Sequence, residues 1–307
     1  MSERHCVLLT CNRNHLKYAL FVAWQLESNV RRDFDIVIAS DEGDLENSLP
    51  DYIKFLHLTD VHIWKSIARH DRFSYYTYIR LPALEILSKT YSKVLYLDTD
   101  VFIATKTLYE IFGIRMTDYA LYAVRDTQQR FRLNLHVPDH HKNGLTKSSY
   151  FNAGVLLVEC KNWIKQKTYK ALIDALEKYP FPVDFHDQTL LNLVFYNNCL
   201  EMSPKWNWMG GPLTNFAAEY FSIRLYHGKT WFNDPKRVPP NFFNEVQLYN
   251  TYFNTTDKLS LEPASNSAFY REYWKSLALN LRWSFSCIRW LKRFENDFQT
   301  HPAGHSV

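Results

Sequence analysis

Two aspartates, Asp98 and Asp100, follow directly on the apolar run at residues 94–97. A short continuous apolar run is typical of a buried strand, and open α/β sheets bind their ligands at the carboxyl ends of strands. Two carboxylates there form a hard-oxygen site that suits Mg²⁺ or Mn²⁺, usually completed by substrate phosphates and water. The alternative is ordinary turn chemistry, with one acid in a turn and a helix N-cap for the segment near Thr107.

The D-x-D spacing occurs twice in the chain, so the pattern alone is weak evidence. Asp33 and Asp35 precede the apolar run at residues 35–40, whereas Asp98 and Asp100 follow theirs. Only the second pair is therefore predicted at the ligand-binding edge of a sheet.

A histidine lies beside a glycine and a lysine in the segment RLYHGKTW, at His227, Gly228 and Lys229. Imidazole is a good ligand for ions such as Mn²⁺, and an ammonium group can neutralise a phosphate leaving group. The alternative is a purely structural histidine.

Small and amide residues open two further segments. Asn152, Ala153 and Gly154 begin an apolar run, where they allow a ligand to approach the backbone and donate hydrogen bonds to its hydroxyls. Asp187 and Gln188 open a helical pattern. The alternatives are an Asn/Gly turn for the first segment and a helix N-cap at Asp187 for the second.

Apolar runs alternate with helical patterns through the first two thirds of the chain, which predicts an α/β fold on a mostly parallel sheet. The predicted strands are residues 5–10, 35–40, 53–58, 93–98, 119–124 and 151–160. The predicted helices are residues 16–28, 75–88, 162–179 and 187–197. We predict a catalytic domain at residues 1–240 and a helical extension at residues 241–307.

Composition excludes several classes of protein. The 307 residues are 46% hydrophobic and carry a net charge of only +4, which does not indicate a nucleic-acid-binding surface. No run of about 18 apolar residues is present to span a bilayer. The five cysteines lack CxxC spacing and are expected to be reduced. Because the first residues lead directly into strand-like sequence, the expected compartment is the cytoplasm.

The C-terminal residues 270–294 have an apolar helical face beside a stripe of arginine and lysine. Such a helix suits peripheral contact with an anionic membrane, which would be the inner face for a cytoplasmic protein. Packing against the catalytic domain explains the apolar face equally well.

Seven segments, in order over about residues 5–232, resemble glycosyltransferase family 8, the glycogenin-like group that includes bacterial lipo-oligosaccharide galactosyl- and glucosyltransferases. They are VLLTCNRN, YYTYIRLPALEIL, KVLYLDTDVF, YAVRD, YFNAGVLLVECKNW, HDQTLLN and LYHGKTW. The resemblance implies a GT-A fold, with a Rossmann-like sheet, that transfers a hexose from a UDP-sugar to a glycan or glycolipid acceptor such as lipopolysaccharide, with retention of anomeric configuration.

The resemblance also implies roles for single residues. Asp98, Asp100 and His227 match the ligands of Mn²⁺, with Mg²⁺ as the alternative ion. The positions that match donor contacts are Thr10, Asn12, Arg80, Asp98, Thr99, Asp100, Asn152, Ala153, Gly154, Asp187, Gln188, Gly228 and Lys229. The positions nearest the reacting centre are Gln188, Asp187 and Asp126.

Retention through two inversions would require a carboxylate nucleophile. Gln188 matches the family position closest to the anomeric carbon, and an amide is a poor nucleophile. We therefore expect a front-face route in which the departing phosphate helps to deprotonate the acceptor, with Asp187 and Asp126 as the alternative nucleophiles. The chain departs from the family at one point, because its HGKTW segment is shorter than the usual His-x-x-Gly-x-x-Lys-Pro-Trp. That departure leaves the placement of Gly228 and Lys229 open.

Two other functions fit parts of the sequence. A haloacid-dehalogenase-like phosphohydrolase also has an apolar strand followed by D-x-D, with Asp98 as nucleophile, but it expects the motif near the N-terminus and Thr or Val where this chain has Phe102. A non-catalytic nucleotide-sugar-binding protein would keep the fold without turnover.

Overall fold

A mixed sheet of eight strands forms the centre of the part of the chain that the structure describes. The computed structural model describes residues 3–28, 32–67, 75–115, 117–126, 150–178, 186–195, 198–209, 225–227, 243–256, 271, 274 and 300–302. The strands of the main sheet are β1 (His5–Thr10), β2 (Phe34–Ser40), β3 (Ile53–His57), β4 (Lys93–Leu97), β6 (Leu121–Arg125), β7 (Phe151–Glu159), β8 (Cys199–Met202) and β10 (Thr300–Pro302). A separate pair consists of β5 (Val101–Ile103) and β9 (Leu225–His227).

The strand order is β10-β8-β6-β7-β4-β1-β2-β3, and four of the seven pairings in this described sheet are parallel. Strand β7 is reversed and pairs antiparallel with both β4 and β6. The reversal brings the start of β7 to the edge where β4 ends, so the backbone N–H of Asp98 donates to the carbonyl of Gly154 at 2.8 Å.

Helices cover both faces of the sheet. They are α1 (Leu16–Glu27), α2 (His62–Ile67), α3 (Arg80–Leu87), α4 (Cys160–Lys165), α5 (Thr168–Lys178), α6 (His186–Val194) and α7 (Phe243–Thr256). Successive residues of β1 contribute to different cores, because strand side chains alternate between faces. Leu8 packs with residues of α3, α5 and α6, whereas Val7 and Leu9 pack with residues of α1.

The predicted strands agree with the observed strands to within two residues at each end.

Two predicted helices are wrong in extent. The described residues of the predicted helix 162–179 form two helices, α4 and α5, because Lys167 adopts a left-handed backbone conformation with φ of 52°. Residues 75–88 form a 3₁₀ helix, Tyr75–Thr77, and then α3. Pro82 has no N–H to donate, so it is accommodated in the first turn of a helix that begins at Arg80.

An aromatic cluster joins α7 to α1 and β5. Phe21 is fully buried, and its ring centroid lies 5.6 Å from Phe102, 5.4 Å from Tyr249 and 5.4 Å from Phe253. Helix α7 therefore packs against the sheet-bearing part of the chain, although the domain boundary at residue 240 stays a prediction.

The C-terminal helix predicted at residues 270–294 lies outside the described residues, apart from Arg271 and Trp274, which are both exposed. Among the described helices, none has both the length and the apolar character needed to cross a bilayer. Membrane contact through residues 270–294 stays a prediction.

The aromatic cluster gives a prediction for stability. Replacing a buried phenylalanine by alanine typically costs about 3–5 kcal/mol, so we expect Phe21→Ala to lower the free energy of unfolding by about that amount in urea titrations. Phe55→Ala makes the same chemical change at a half-buried site on β3 and serves as the control. Equal losses for the two variants would contradict the importance of this cluster.

Candidate active site

The guanidinium of Arg80 lies at the centre of the site. Its Nη2 lies 3.1 Å from Asp98 Oδ1, and its Nε lies 3.0 Å from Asp187 Oδ2. Nη1 donates to the carbonyl of Ala153 at 2.7 Å, and Nε donates to the carbonyl of Thr77 at 2.8 Å. Because Arg80 begins α3, this one side chain connects α3, β4, β7 and α6.

The Asp98 carboxylate has a second partner in β4, the strand that precedes it. The Tyr96 hydroxyl donates to Asp98 Oδ1 at 2.6 Å, and the Arg80 guanidinium lies over the Tyr96 ring at 4.1 Å from its centroid. The Thr10 hydroxyl is 3.4 Å from the same phenol oxygen. These contacts orient Oδ1 of the half-buried Asp98 toward protein.

Burial and charge shift the pKa values of this cluster in opposite ways. Burial raises the pKa of Asp187 to about 6, with the Arg80 guanidinium opposing the shift and the Asp98 carboxylate adding to it. Burial also raises the pKa of Tyr96 well above its usual range, so its hydroxyl remains a donor. For Arg80, burial acts against the charge, but Asp187, Asp98 and Asp100 keep its pKa above the ordinary value.

A series of side-chain amides continues from this cluster along the start of β7. Asn152 Nδ2 donates to Gln188 Oε1 at 3.2 Å, and the backbone N–H of Ala153 donates to the same oxygen at 3.0 Å. Gln188 Nε2 donates in turn to Asp126 Oδ2 at 3.1 Å. The three residues predicted nearest the reacting centre therefore lie at the same edge of the main sheet. Asp187 pairs with Arg80, and Gln188 donates a hydrogen bond to Asp126.

Helix α6 is fastened to β7 by polar contacts that hold Asp187 and Gln188 in place. Asn192 accepts from the backbone N–H of Phe151 at 2.9 Å and donates to the Phe151 carbonyl at 2.9 Å. The hydroxyls of Tyr150 and Thr189 are 2.9 Å apart.

The donor set at the end of β4 fits a divalent ion in part. Asp98 and Asp100 flank a turn at Thr99 and supply hard oxygen ligands. In the antiparallel β5–β9 pair His227 lies opposite Val101, the residue after Asp100, so the backbone brings the predicted third ligand beside the acid pair. No group of three or more ligating side chains is found among those the structure describes, which do not include that of His227.

Other predicted donor contacts are distributed around the same edge. Thr10 ends β1, and Asn12 follows it with its Oδ1 accepting from the backbone N–H of His15 at 2.9 Å, which caps a short 3₁₀ helix. The structure brings Thr10, Arg80, Asp98, Asp126, Asn152, Ala153, Gly154, Asp187 and Gln188 into one network of contacts. Gly228 and Lys229 lie outside the described residues.

Sequence analysis missed three side chains of this site: Tyr96, Asn192 and Asn207, whose Nδ2 donates to Asn152 Oδ1 at 2.8 Å. A tyrosine inside an apolar strand was a usable signal, because a buried hydroxyl needs a partner. Asn192 lies one helical turn after Gln188, on the same face. Asn207 lies between two tryptophans, and no local pattern distinguishes it from an ordinary core residue.

The model of the family described as Glycosyl transferase family 8 matches residues 6–227, which is more than half of the chain. The chain belongs to this family. General stress protein A of Bacillus subtilis (strain 168) is 25% identical over 209 residues, covering 65% of this chain and 66% of the relative. The lipopolysaccharide 1,2-glucosyltransferase of Escherichia coli is 25% identical over 282 residues, covering 82% of this chain and 80% of the relative.

Several curated relatives match over less than two thirds of their own length. The putative glycosyltransferase of Haemophilus influenzae (strain ATCC 51907 / DSM 11121 / KW20 / Rd), for example, is 31% identical over 141 residues, 44% of this chain and 41% of its own. The activity, substrates and partners of this family 8 protein are accordingly proposals.

Solved structures support the fold. The galactosyltransferase LgtC in complex with donor and acceptor sugar analogues has a TM-score of 0.61 at 19% identity, covering 87% of this chain and 99% of LgtC. An active-site mutant of LgtC has a TM-score of 0.63 at 20% identity, covering 80% of this chain and 95% of the mutant. The predicted α/β class and GT-A fold are confirmed.

The Arg80 network gives a prediction for stability and its pH dependence. Breaking a buried ion pair typically costs about 3–5 kcal/mol, so Arg80→Met should lower the free energy of unfolding by about that amount at pH 8 in the presence of chelator. Arg13→Met removes an exposed arginine that pairs with Glu42 and Asp44, and it should change stability by less than about 1 kcal/mol.

The sign of the pH dependence follows from the raised pKa of Asp187. A carboxyl with a folded pKa of about 6 and an ordinary value of 3.8 binds its proton more tightly when folded, so its contribution to stability falls as pH rises between those values. Without Arg80 this fall should extend to higher pH. Urea titrations from pH 5 to pH 8 measure it, and parallel profiles for wild type and Arg80→Met would contradict the assignment.

Proposed function

We propose that this protein is a retaining glycosyltransferase that moves a hexose from a UDP-sugar to a glycan acceptor with the help of Mn²⁺, or of Mg²⁺. The observation that carries the proposal is the single network of Arg80, Asp98, Asn152, Asp187 and Gln188 at the carboxyl end of β4. Membership of family 8 and the GT-A fold support it.

A divalent ion would be held by Asp98, Asp100 and His227. When bound, such an ion stabilises the charge that develops on a departing nucleoside diphosphate. The Tyr96 hydroxyl donates to Asp98 Oδ1, and Arg80 pairs with the same oxygen, so protein contacts orient this proposed ligand. Lys229 would add a positive charge near the phosphates.

The donor sugar would lie against the start of β7. Ala153 and Gly154 are buried and add little side-chain bulk there, and Asn152 and Asp187 supply polar groups beside them. Thr10, the last residue of β1, and Asn12, two residues later, are the proposed contacts of the nucleoside. Thr99, Asp100 and Gly228 complete the proposed donor contacts around the phosphates.

The surroundings of Gln188 support a front-face route. Its Oε1 already accepts two hydrogen bonds, from Asn152 and Ala153, which reduces the availability of the oxygen lone pairs for attack on the anomeric carbon. The Asp187 carboxylate is buried against Arg80, so it also lacks the freedom of a nucleophile. In this route the phosphate of the leaving group takes the proton of the acceptor hydroxyl, while the new bond forms on the face from which the nucleoside diphosphate departs.

The proposed acceptor is a surface glycan or a glycolipid such as lipopolysaccharide. The Escherichia coli relative is named a lipopolysaccharide 1,2-glucosyltransferase, and it matches over most of both chains. A cytoplasmic protein that meets such an acceptor would work at the inner face of the membrane, where the basic and aromatic residues 270–294 would provide the contact.

Two rival functions give different results in the same assay. A phosphohydrolase with Asp98 as nucleophile would release phosphate, whereas here Oδ1 of that residue is occupied by Tyr96 and Arg80. A non-catalytic binding protein would be stabilised by UDP but would release none from a UDP-sugar.

The function is tested by incubating the protein with a panel of UDP-sugars and Mn²⁺ and measuring the release of UDP, with and without chelator. We expect release from at least one UDP-hexose, loss of release with chelator, and a higher melting temperature in the presence of UDP. The proposal fails if no donor releases UDP and UDP does not stabilise the protein.

Two substitutions separate the proposed roles within the site. Asp98→Ala should abolish metal-dependent turnover, because it removes a ligand of the ion, whereas Gln188→Ala should only weaken turnover, because an amide that is not a nucleophile can be lost. Steady-state rates of UDP release measure both. Asp33→Ala, in the other D-x-D triplet at the opposite edge of the sheet, is the control and should keep wild-type rates.

Complete loss of turnover in Gln188→Ala with donor binding intact would contradict the front-face route. It would indicate that Gln188 participates in bond making rather than in orienting the sugar.

A further inference from the structure

Asn207 lies in the segment after β8, between the buried tryptophans Trp206 and Trp208. It follows the 3₁₀ helix Pro204–Trp206 and is itself almost fully buried. Its Nδ2 donates to Asn152 Oδ1 at 2.8 Å. This contact connects the end of β8 to the start of β7, where the amide series of the candidate active site begins.

Backbone N–H groups determine which way the amides in this series point. The N–H of Gly154 donates to Asn152 Oδ1 at 2.8 Å, and the N–H of Ala153 donates to Gln188 Oε1 at 3.0 Å. Because a backbone N–H can only donate, both of the side-chain atoms that face these groups are oxygens. Asn207 must therefore present its nitrogen to Asn152, and Asn152 must present its own nitrogen to Gln188.

The far end of the series is a carboxylate. With its oxygen held by Asn152 and Ala153, Gln188 directs its Nε2 to Asp126 Oδ2 at 3.1 Å. All side-chain donors from Asn207 to Asp126 thus point in one direction, and a rotated amide anywhere along the series would bring two donors or two acceptors together.

Asn207 is not explained by stability alone. Its Oδ1 is buried and has no hydrogen-bond partner among the described residues. A buried polar group without a partner costs about 1–3 kcal/mol, and an apolar side chain between the two tryptophans would avoid that cost. What an asparagine adds at this position is the donor that it directs to Asn152.

We infer that Asn207 is a positioning residue for Gln188, acting through Asn152. The inference rests on the proposed function, since it concerns the group placed beside the anomeric carbon. Without the Asn207 donor, Asn152 Oδ1 keeps only the bond from Gly154, and the Asn152 side chain is free to rotate away from Gln188. A small displacement of an active-site group lowers rates by up to about 10²-fold.

A double-mutant cycle tests this inference through kcat, KM for the UDP-sugar and melting temperature. Asn207→Ala should lower kcat about tenfold, with KM changed by less than about twofold, because the group acts on the reacting geometry. In the Gln188→Ala background the same substitution should change kcat by less than about twofold, since the group that it positions is gone.

Asn162→Ala is the matched control. Asn162 is also buried and donates two hydrogen bonds, to the carbonyls of Thr117 and Tyr119, away from the amide series. It should lower the melting temperature without a selective loss of kcat, and its effects should add to those of Gln188→Ala. If Asn207→Ala does not fold, Asn207→Ser, whose hydroxyl is one bond shorter than the amide, is used in the same cycle.

The outcomes separate the inference from the proposed function. Wild-type protein without turnover on any UDP-sugar overturns the proposed function. Wild-type turnover with a weakened Gln188→Ala, combined with an Asn207 variant that keeps wild-type kcat or whose loss is additive with Gln188→Ala, overturns the positioning role alone. A tenfold loss that disappears in the Gln188→Ala background supports it.

Discussion

The buried guanidinium of Arg80 is the interaction on which the rest of the site depends. It lies between two carboxylates from different elements, Asp98 after β4 and Asp187 in α6, and its Nε and Nη1 also donate to backbone carbonyls. Removing the cation would leave two acids close together in a poorly solvated region, where like charges destabilise the fold. The stability of the fold and the proposed donor binding therefore depend on the same residue.

The amide at position 188 has a place in this electrostatic arrangement. The site already contains Asp98, Asp126 and Asp187, and the buried cation of Arg80 pairs with the first and the third. A carboxylate in place of Gln188 would face the carboxylate of Asp126, and like charges close together are unfavourable. A neutral side chain with both a donor and an acceptor links Asn152 to Asp126 without adding charge.

Much of the fold, and the grouping of the candidate-site residues, could be predicted from the sequence, because short apolar runs and their polar ends are local signals. The strands and the acid pair after β4 are examples. The reversal of β7 could not be predicted, since a fully buried antiparallel strand has the same apolar pattern as a parallel one. Asn207 could not be predicted either, because its role depends on Asn152, which is 55 residues away along the chain. The two helix breaks required knowledge of a backbone conformation at Lys167 and of the position of Pro82 within a turn.

The reversed β7 has a consequence for how such proteins diverge. Strand β7 pairs with β4 on one side and β6 on the other, which fixes its register. The Asp98 N–H therefore remains bonded to the Gly154 carbonyl, and the Asp126 N–H to the Tyr150 carbonyl. The 23 residues between Asp126 and Tyr150 in the sequence are bounded by these two fixed points. Insertions or deletions between them are expected to leave the pairing of β7 with β4 and β6 unchanged. The length of this stretch can therefore vary between related proteins without moving the residues of the candidate site.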